Sequence, residues 1–232
     1  MRLLVTRPEP QASKSAARLR ALGHDVVVAP LLNIKAIENA DIPRAGLGGV
    51  AVTSARAIDA MSRREEWNEL KNLPFFAVGE KSARAAKGAG AANVTAGAGT
   101  VGDLAALIAR SGVGGTVLYL AGRERSGDLS GDLANLGIDC ETVEVYQADA
   151  ASRLPEDIAA DLQAGDIDAV LIYSRRTAEV FAQVTKALKL PRDFSVLSIS
   201  KHAGEPLEGR FEIISAREPN EEAVFALLPP PC

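Results

Sequence analysis

Residues 169–184 read AVLIYSRRTAEVFAQV, and the fold class turns on how they are read. The apolar run at 169–173 has the length and branched character of a strand buried on both faces. From Thr177 onward Val180, Phe181, Val184 and Leu188 recur at helical spacing, so a helix is expected over 177–188. Ser174, Arg175 and Arg176 fill the turn between the two. The same order recurs at LLVTR (3–7), VAVTSAR (50–56), FFAVGEKS (75–82) and VLYLAGRER (117–125). Each predicted strand ends in small hydroxylated or glycine residues with one or two cations, and a helix follows. That end of a parallel sheet, and helix amino termini in particular, suit anionic groups. The pattern points to several strand ends presented to a multiply anionic ligand.

Outward from this stretch, the chain alternates strand and helix almost throughout. A βαβ unit opens it: a strand at 3–6, a helix at 11–22 stopped by Gly23, and a strand at 25–29. Residues 31–37 read as an extended run leading into a polar, glycine-containing connection. A second series from Val50 to Val145 has enough alternation for a complete doubly wound domain, ending in a strand at 140–146. Residues 147–153 form a second polar connection, and a third series of alternating elements occupies the remainder. The opening βαβ unit has too few strands to bury both faces of a sheet alone. It is therefore expected to share a sheet with the last series. The fold class is α/β, with two doubly wound parallel-sheet domains joined by a two-stranded linker. Residues 1–33 with 152–232 form the first domain, 40–146 the inserted second, and 34–39 with 147–151 the linkers. A cleft between two such domains is a common place for a small-molecule site.

Composition narrows the partners. The net charge is -4, with 26 basic against 30 acidic residues, so a general attraction to nucleic acid is not expected and any anion site is local. Cys140 and Cys232 suggest neither a disulfide framework nor a zinc site. His24 and His202 are far apart in sequence and supply no metal set. The amino terminus has too short an apolar run for a secretory signal, and nowhere is there a run of about 18 apolar residues to span a membrane. A cytoplasmic protein is expected, with no membrane partner. Aromatic residues make up only 4%, which argues against a large aromatic interface and for a monomer.

The ordered series VTRPEPQ (5–11), PLLNI (30–34), AVTSARAI (51–58), AVGEKSA (77–83), VLYLAGRE (117–124), VEVYQA (143–148) and LIYSRRTAEVF (171–181) resembles the uroporphyrinogen-III synthase family over essentially the whole length. The resemblance implies two α/β domains on a two-stranded linker, the first built from both ends of the chain. It also implies a substrate, hydroxymethylbilane, which is a linear tetrapyrrole with eight carboxylates delivered by the preceding enzyme of the pathway. The implied reaction closes the macrocycle through a spiro intermediate, inverts the last pyrrole ring and loses water, with no metal or organic cofactor. The tyrosine to which the family most often gives a catalytic role matches Tyr146. Arg56 stands where the family usually has an asparagine, and Lys201 and His202 where it tends to have a small residue and a threonine.

The residues allow the same chemistry. A phenol at Tyr146 can give a hydrogen bond to a departing hydroxyl without adding charge among carboxylates. A phenol is a weak acid at neutral pH, so catalysis is expected to be mainly geometric, the bilane being held so that the substituted ring position is attacked. The candidate carboxylate contacts are the hydroxyls of Thr6, Thr53, Ser54, Ser82 and Ser174 and the cations Arg7, Arg56, Lys81, Arg123, Arg175 and Lys201. Each hydroxyl alone is also explained as a helix cap, and each cation as a solvated or ion-paired side chain. Recurrence at successive strand ends raises the group above its members. AGAGTVG (96–102) and LGGVAV (47–52) do not form a dinucleotide or P-loop motif. The alternative function is a non-catalytic two-domain binder of tetrapyrroles or other polycarboxylates.

Overall fold

The computed structural model describes residues 1–125, 127–191 and 194–229, so Cys232 lies outside the described residues. The chain opens with β1 (Arg2–Val5), α1 (Gln11–Ala21), β2 (Asp25–Val28) and β3 (Leu32–Ala36). It continues through β4 (Leu47–Val52), α2 (Ala55–Met61), α3 (Trp67–Leu70), β5 (Pro74–Ala77), α4 (Glu80–Gly88), β6 (Asn93–Ala96) and α5 (Val101–Ser111). Next come β7 (Thr116–Gly122), α6 (Leu129–Asn135), β8 (Cys140–Ala150), α7 (Glu156–Ala164), β9 (Ala169–Ile172) and α8 (Arg175–Val184). The last elements are β10 (Ser195–Ser198), α9 (Lys201–Gly204), a 3-10 turn at Glu205–Leu207, β11 (Glu212–Ser215) and α10 (Glu221–Phe225). Two compact units result: Met1–Ile34 with Asp149–Cys232, and Lys35–Ala148. Among the described residues no helix is long and apolar enough to cross a membrane.

The first unit carries a five-stranded sheet in the order β11-β10-β9-β1-β2. Every pairing in it is parallel. The strand order reverses between β1 and β9, so their carboxyl ends flank the switch point where such sheets receive ligands. Leu3, Val5, Leu171 and Leu197 from the strands pack with Ala12, Ala16 and Leu19 of α1 and Val224 of α10.

The second unit carries a six-stranded sheet in the order β3-β8-β7-β4-β5-β6, and its switch point lies between β4 and β7. Alternation along the two central strands builds one core on each face. Val50, Val52, Leu118 and Leu120 join α2, α3 and α4 on one side, through Ile58, Met61, Leu70 and Ala83. Ala51, Val117, Tyr119 and Ala121 join α5 and α6 on the other, through Leu104, Ile108 and Leu133.

Four elements differ from the sequence expectation, each for a local reason. The strand expected to stop at Tyr146 runs on to Ala150 because β3 lies antiparallel beside it. There the Ile37 N–H donates to the Val145 carbonyl and the Ala151 N–H to the Leu31 carbonyl, both at 2.9 Å. The polar connection expected from residue 147 is thus, as far as Ala150, a continuation of β8 as a linker strand, paired with a partner distant in sequence. The helix expected over 177–188 begins earlier, with Ser174 as its cap, and ends at Val184. There the Thr185 hydroxyl donates back to the Phe181 carbonyl at 2.6 Å, and Arg210 donates to the Ala182 carbonyl at 2.9 Å, which closes the helix. Ser82 does not open its helix: α4 starts at Glu80 behind Gly79, and Ser82 is buried in its first turn. Finally, the charged stretch around Trp67, where the sequence predicts only the end of a short helix over 56–63, contains α3, because Trp67 is buried edge-on against Phe75 with its indole N–H on the Ala89 carbonyl at 2.9 Å.

Candidate functional site

At the switch point of the second unit the loops after β4 and β7 enclose a cavity of about 270 Å³. Thr53 and Ser54 line it from the segment after β4, Gly122 from the end of β7 and Arg125 from the loop beyond it, Tyr146 from β8 and Gly99 from the loop before α5. Tyr146 reaches it through an irregularity in the ladder. Ala121 pairs with Glu144 but Gly122 pairs with Tyr146, so Val145 has no partner on β7 and the register slips by one residue. The Arg123 N–H donates to the Tyr146 carbonyl at 2.9 Å and fixes the new register. Gly122 then accommodates the phenol directly. A Cβ at Gly122 would lie 2.5 Å from Tyr146 Cζ and 2.7 Å from its hydroxyl oxygen, so only glycine leaves room for the ring in this pose.

The second tyrosine of this site is Tyr119, only 3% exposed, whose phenol oxygen is 2.9 Å from the Thr53 hydroxyl. Burial pushes its pKa up, and the Thr53 hydrogen bond offsets part of that. Ser54 caps α2, accepting from the Arg56 N–H at 3.2 Å. Glu144 bridges two cations, accepting from Arg123 Nε on one oxygen and from Arg125 Nη1 on the other, each at 3.2 Å. These side chains are a third to a half exposed, so the pairs contribute little stability and an incoming carboxylate can compete for either arginine. Glu124 also lines the cavity, one of its oxygens accepting from the Ala148 N–H at 3.2 Å.

The cavity therefore brings Thr53, Ser54 and Tyr146 together, with Arg123 adjoining through Glu144. Arg56 lies in the first turn of α2, partly buried, and Lys81 is exposed on α4. The remaining candidates lie in the first unit. Thr6 is fully buried and its hydroxyl donates to the Leu171 carbonyl at 2.7 Å, tying β1 to β9. Arg7 stacks over Tyr173 at 4.2 Å and donates to Ser15 at 3.0 Å and Glu221 at 2.7 Å. Ser174 accepts from the Thr177 N–H at 3.1 Å as the cap of α8. Arg175 is paired with Glu179 at 3.4 Å and also with Glu205. Lys201 is exposed at the start of α9, and His202, also exposed, is 3.6 Å from Glu205. Among the described residues no cluster of His, Cys, Asp and Glu is placed to hold a metal ion.

Sequence reasoning missed Tyr119, Gly122, Arg125 and Glu144. Arg125 stands in the same GRER run as Arg123, and that run was the available signal. The others read as ordinary strand residues, because their roles arise from cross-strand neighbours.

No curated protein sequence matches the chain. Its structure is similar to that of uroporphyrinogen-III synthetase from Helicobacter pylori 26695, with a TM-score of 0.69 at 17% identity over 98% of both chains. It is also similar to a mutant uroporphyrinogen III synthase from the extremely thermophilic bacterium Thermus thermophilus, with a TM-score of 0.60 at 18% identity, covering 98% of this chain and 96% of that one. At such identities the likeness concerns the fold. The profile of the family described as Uroporphyrinogen-III synthase HemD matches residues 13–226. With nearly the whole chain matched, and with the paired α/β units of that fold in place, the protein belongs to the uroporphyrinogen-III synthase HemD family.

Proposed function

We propose that the protein is a uroporphyrinogen-III synthase, closing hydroxymethylbilane to the macrocycle with inversion of the terminal pyrrole ring and loss of water. The observation that carries the reading is the cavity at the β4/β7 switch point, where a phenol, two hydroxyls and an arginine converge beside the Glu124 carboxylate. Its volume is near the lower end of small-molecule pockets, about 300–1,000 Å³. It therefore suits one pyrrole ring with its acid side chains rather than the whole bilane.

Within that reading the residues divide the work. The C–O bond of the hydroxymethyl group breaks with its electron pair on oxygen, and the proton that the last ring's carbon gives up on closure completes the water. Tyr146 donates a hydrogen bond to the leaving oxygen, which adds no charge beside the carboxylates. Thr53 and Ser54 hold a carboxylate or pyrrole edge, and Arg125 receives a carboxylate in competition with Glu144. Orientation of the azafulvene carbon towards the substituted position of the last ring then decides the isomer.

The test is isomer analysis of the product from hydroxymethylbilane generated in situ. Predominantly type III product is expected, against type I without the protein. Type I alone, at the spontaneous rate, would remove the catalytic reading and leave a polycarboxylate binder, to be sought by titration. Tyr146→Phe is expected to lower kcat about a hundredfold, the low end of general-acid contributions, while retaining type III product. Unchanged kcat would show that the phenol oxygen takes no part.

A further inference from the structure

Two hydroxyls meet at the wall of this cavity, and which one donates decides what the wall offers a ligand. Tyr119 is 3% exposed and packed among Ala51, Phe76, Leu104 and Ala121, so its phenol has little access to water. Its oxygen is 2.9 Å from Thr53 Oγ1, and among the described residues neither hydroxyl has another side-chain hydrogen bond. If Thr53 donated, the phenolic hydrogen would be buried without an acceptor, a loss larger than one hydrogen bond is worth. Tyr119 must therefore donate. A threonine hydroxyl has one hydrogen and two lone pairs; with a lone pair taken by Tyr119, its hydrogen is left for something else. Thr53 is only partly buried and lines the cavity, so that hydrogen is available there.

We infer that Tyr119 is a positioning residue which, by donating to Thr53, holds the Thr53 hydroxyl as a hydrogen-bond donor towards an acceptor on the substrate, a carboxylate oxygen of one pyrrole ring. The inference rests on the proposed reading of the cavity and deepens it, adding a buried tyrosine that never touches the substrate. Without Tyr119 the Thr53 hydroxyl rotates freely and turns its hydrogen inward part of the time. The ring beside it is then held in more than one pose, and attack at the unsubstituted position gains ground.

A double-mutant cycle with Tyr119→Phe and Thr53→Val tests this, read in two ways. One readout is KM, kcat and the type III to type I ratio with hydroxymethylbilane. The other is affinity for uroporphyrin III, a stable octacarboxylate, measured by calorimetry on the full chain. Each single variant is expected to weaken uroporphyrin III binding about tenfold and to raise the type I fraction. The double variant is expected to be no worse than Thr53→Val alone, since the two residues act through one hydrogen. A merely structural Tyr119 would lower thermal stability without moving the isomer ratio or coupling to Thr53. Uroporphyrin III affinity within twofold of wild type for Tyr119→Phe, or losses that multiply in the double variant, would overturn the assignment. Should the wild type yield only type I product, the catalytic reading fails, while the binding cycle still decides which hydroxyl donates.

Discussion

Glu221→Ala is expected to lower the stability of the first unit by about 2 kcal/mol and the melting temperature by roughly 5–10 °C. Glu221 is the first residue of α10, and both of its carboxylate oxygens are occupied. One accepts from Arg7 at 2.7 Å and from the Ser15 hydroxyl, and the other from Arg18. Arg7 and Glu221 are each about 20% exposed at the side chain, so their pair lies between a surface ion pair and a buried one. Removal strands the Arg7 guanidinium over the Tyr173 ring, beside a phenol oxygen that is itself buried without a hydrogen-bond partner among the described residues. It also releases α10 from α1, against which Val224 and the Phe225–Arg18 contact are packed. Glu221→Gln keeps an acceptor for Ser15 and should fall between alanine and wild type. Glu222→Ala removes only a contact from an exposed carboxylate to Arg18 at 3.1 Å and should change nothing measurable. Equilibrium denaturation of the three variants is the measurement. Glu221→Ala within about 0.5 kcal/mol of wild type, which is the ordinary scatter of surface substitutions, would show that the cluster is ornamental.

The fold was legible where chemistry follows local pattern. Apolar strands ending in Thr-Arg, Thr-Ser or Tyr-Ser-Arg, each followed by an amphipathic helix, mark β1, β4 and β9 without any knowledge of pairing. Thr53 and Ser54 were singled out for the same reason, since hydroxyls at strand ends are visible in residue types, whereas Tyr146 came from the family resemblance and lies within β8 rather than at its end. What was not legible depends on partners distant along the chain. Glu221 meets Arg7 across 214 positions, and nothing near either residue announces the other. Residues 147–150 read as a polar linker segment, and that they continue β8 shows only when β3 is placed beside them. Thr6 reads as a ligand hydroxyl by position, yet its proton is spent on the Leu171 carbonyl of the neighbouring strand. Tyr119 alternates like any core residue, and its importance comes only from what its oxygen reaches.

Gly122→Ala should leave the protein folded but cost about a hundredfold in turnover, at least as much as removing the Tyr146 hydroxyl. The slipped register sets Tyr146 opposite Gly122 and leaves Val145 unpaired on β7. The new methyl group would sit 2.5 Å from Cζ and 2.8 Å from Cε2, far inside contact distance. These atoms are at the far end of a side chain that is only partly buried, so the ring can swing aside without moving either strand. The stability loss should therefore be small, about 1 kcal/mol, at the low end of the overpacking range. What is lost is the pose: the phenol leaves the cavity wall, and the space it lined changes shape. Tyr146→Ala in the Gly122→Ala background should then cost little more turnover than either change alone, because both remove the same group from the same place. Losses that multiply, or a Gly122→Ala enzyme within about threefold of wild type, would mean that the position of the phenol against Gly122 is not what the reaction uses. If the expected coupling is found, the glycine at the end of β7 is kept for the ring that lies on it, and the unpaired Val145 is the device that puts the ring there.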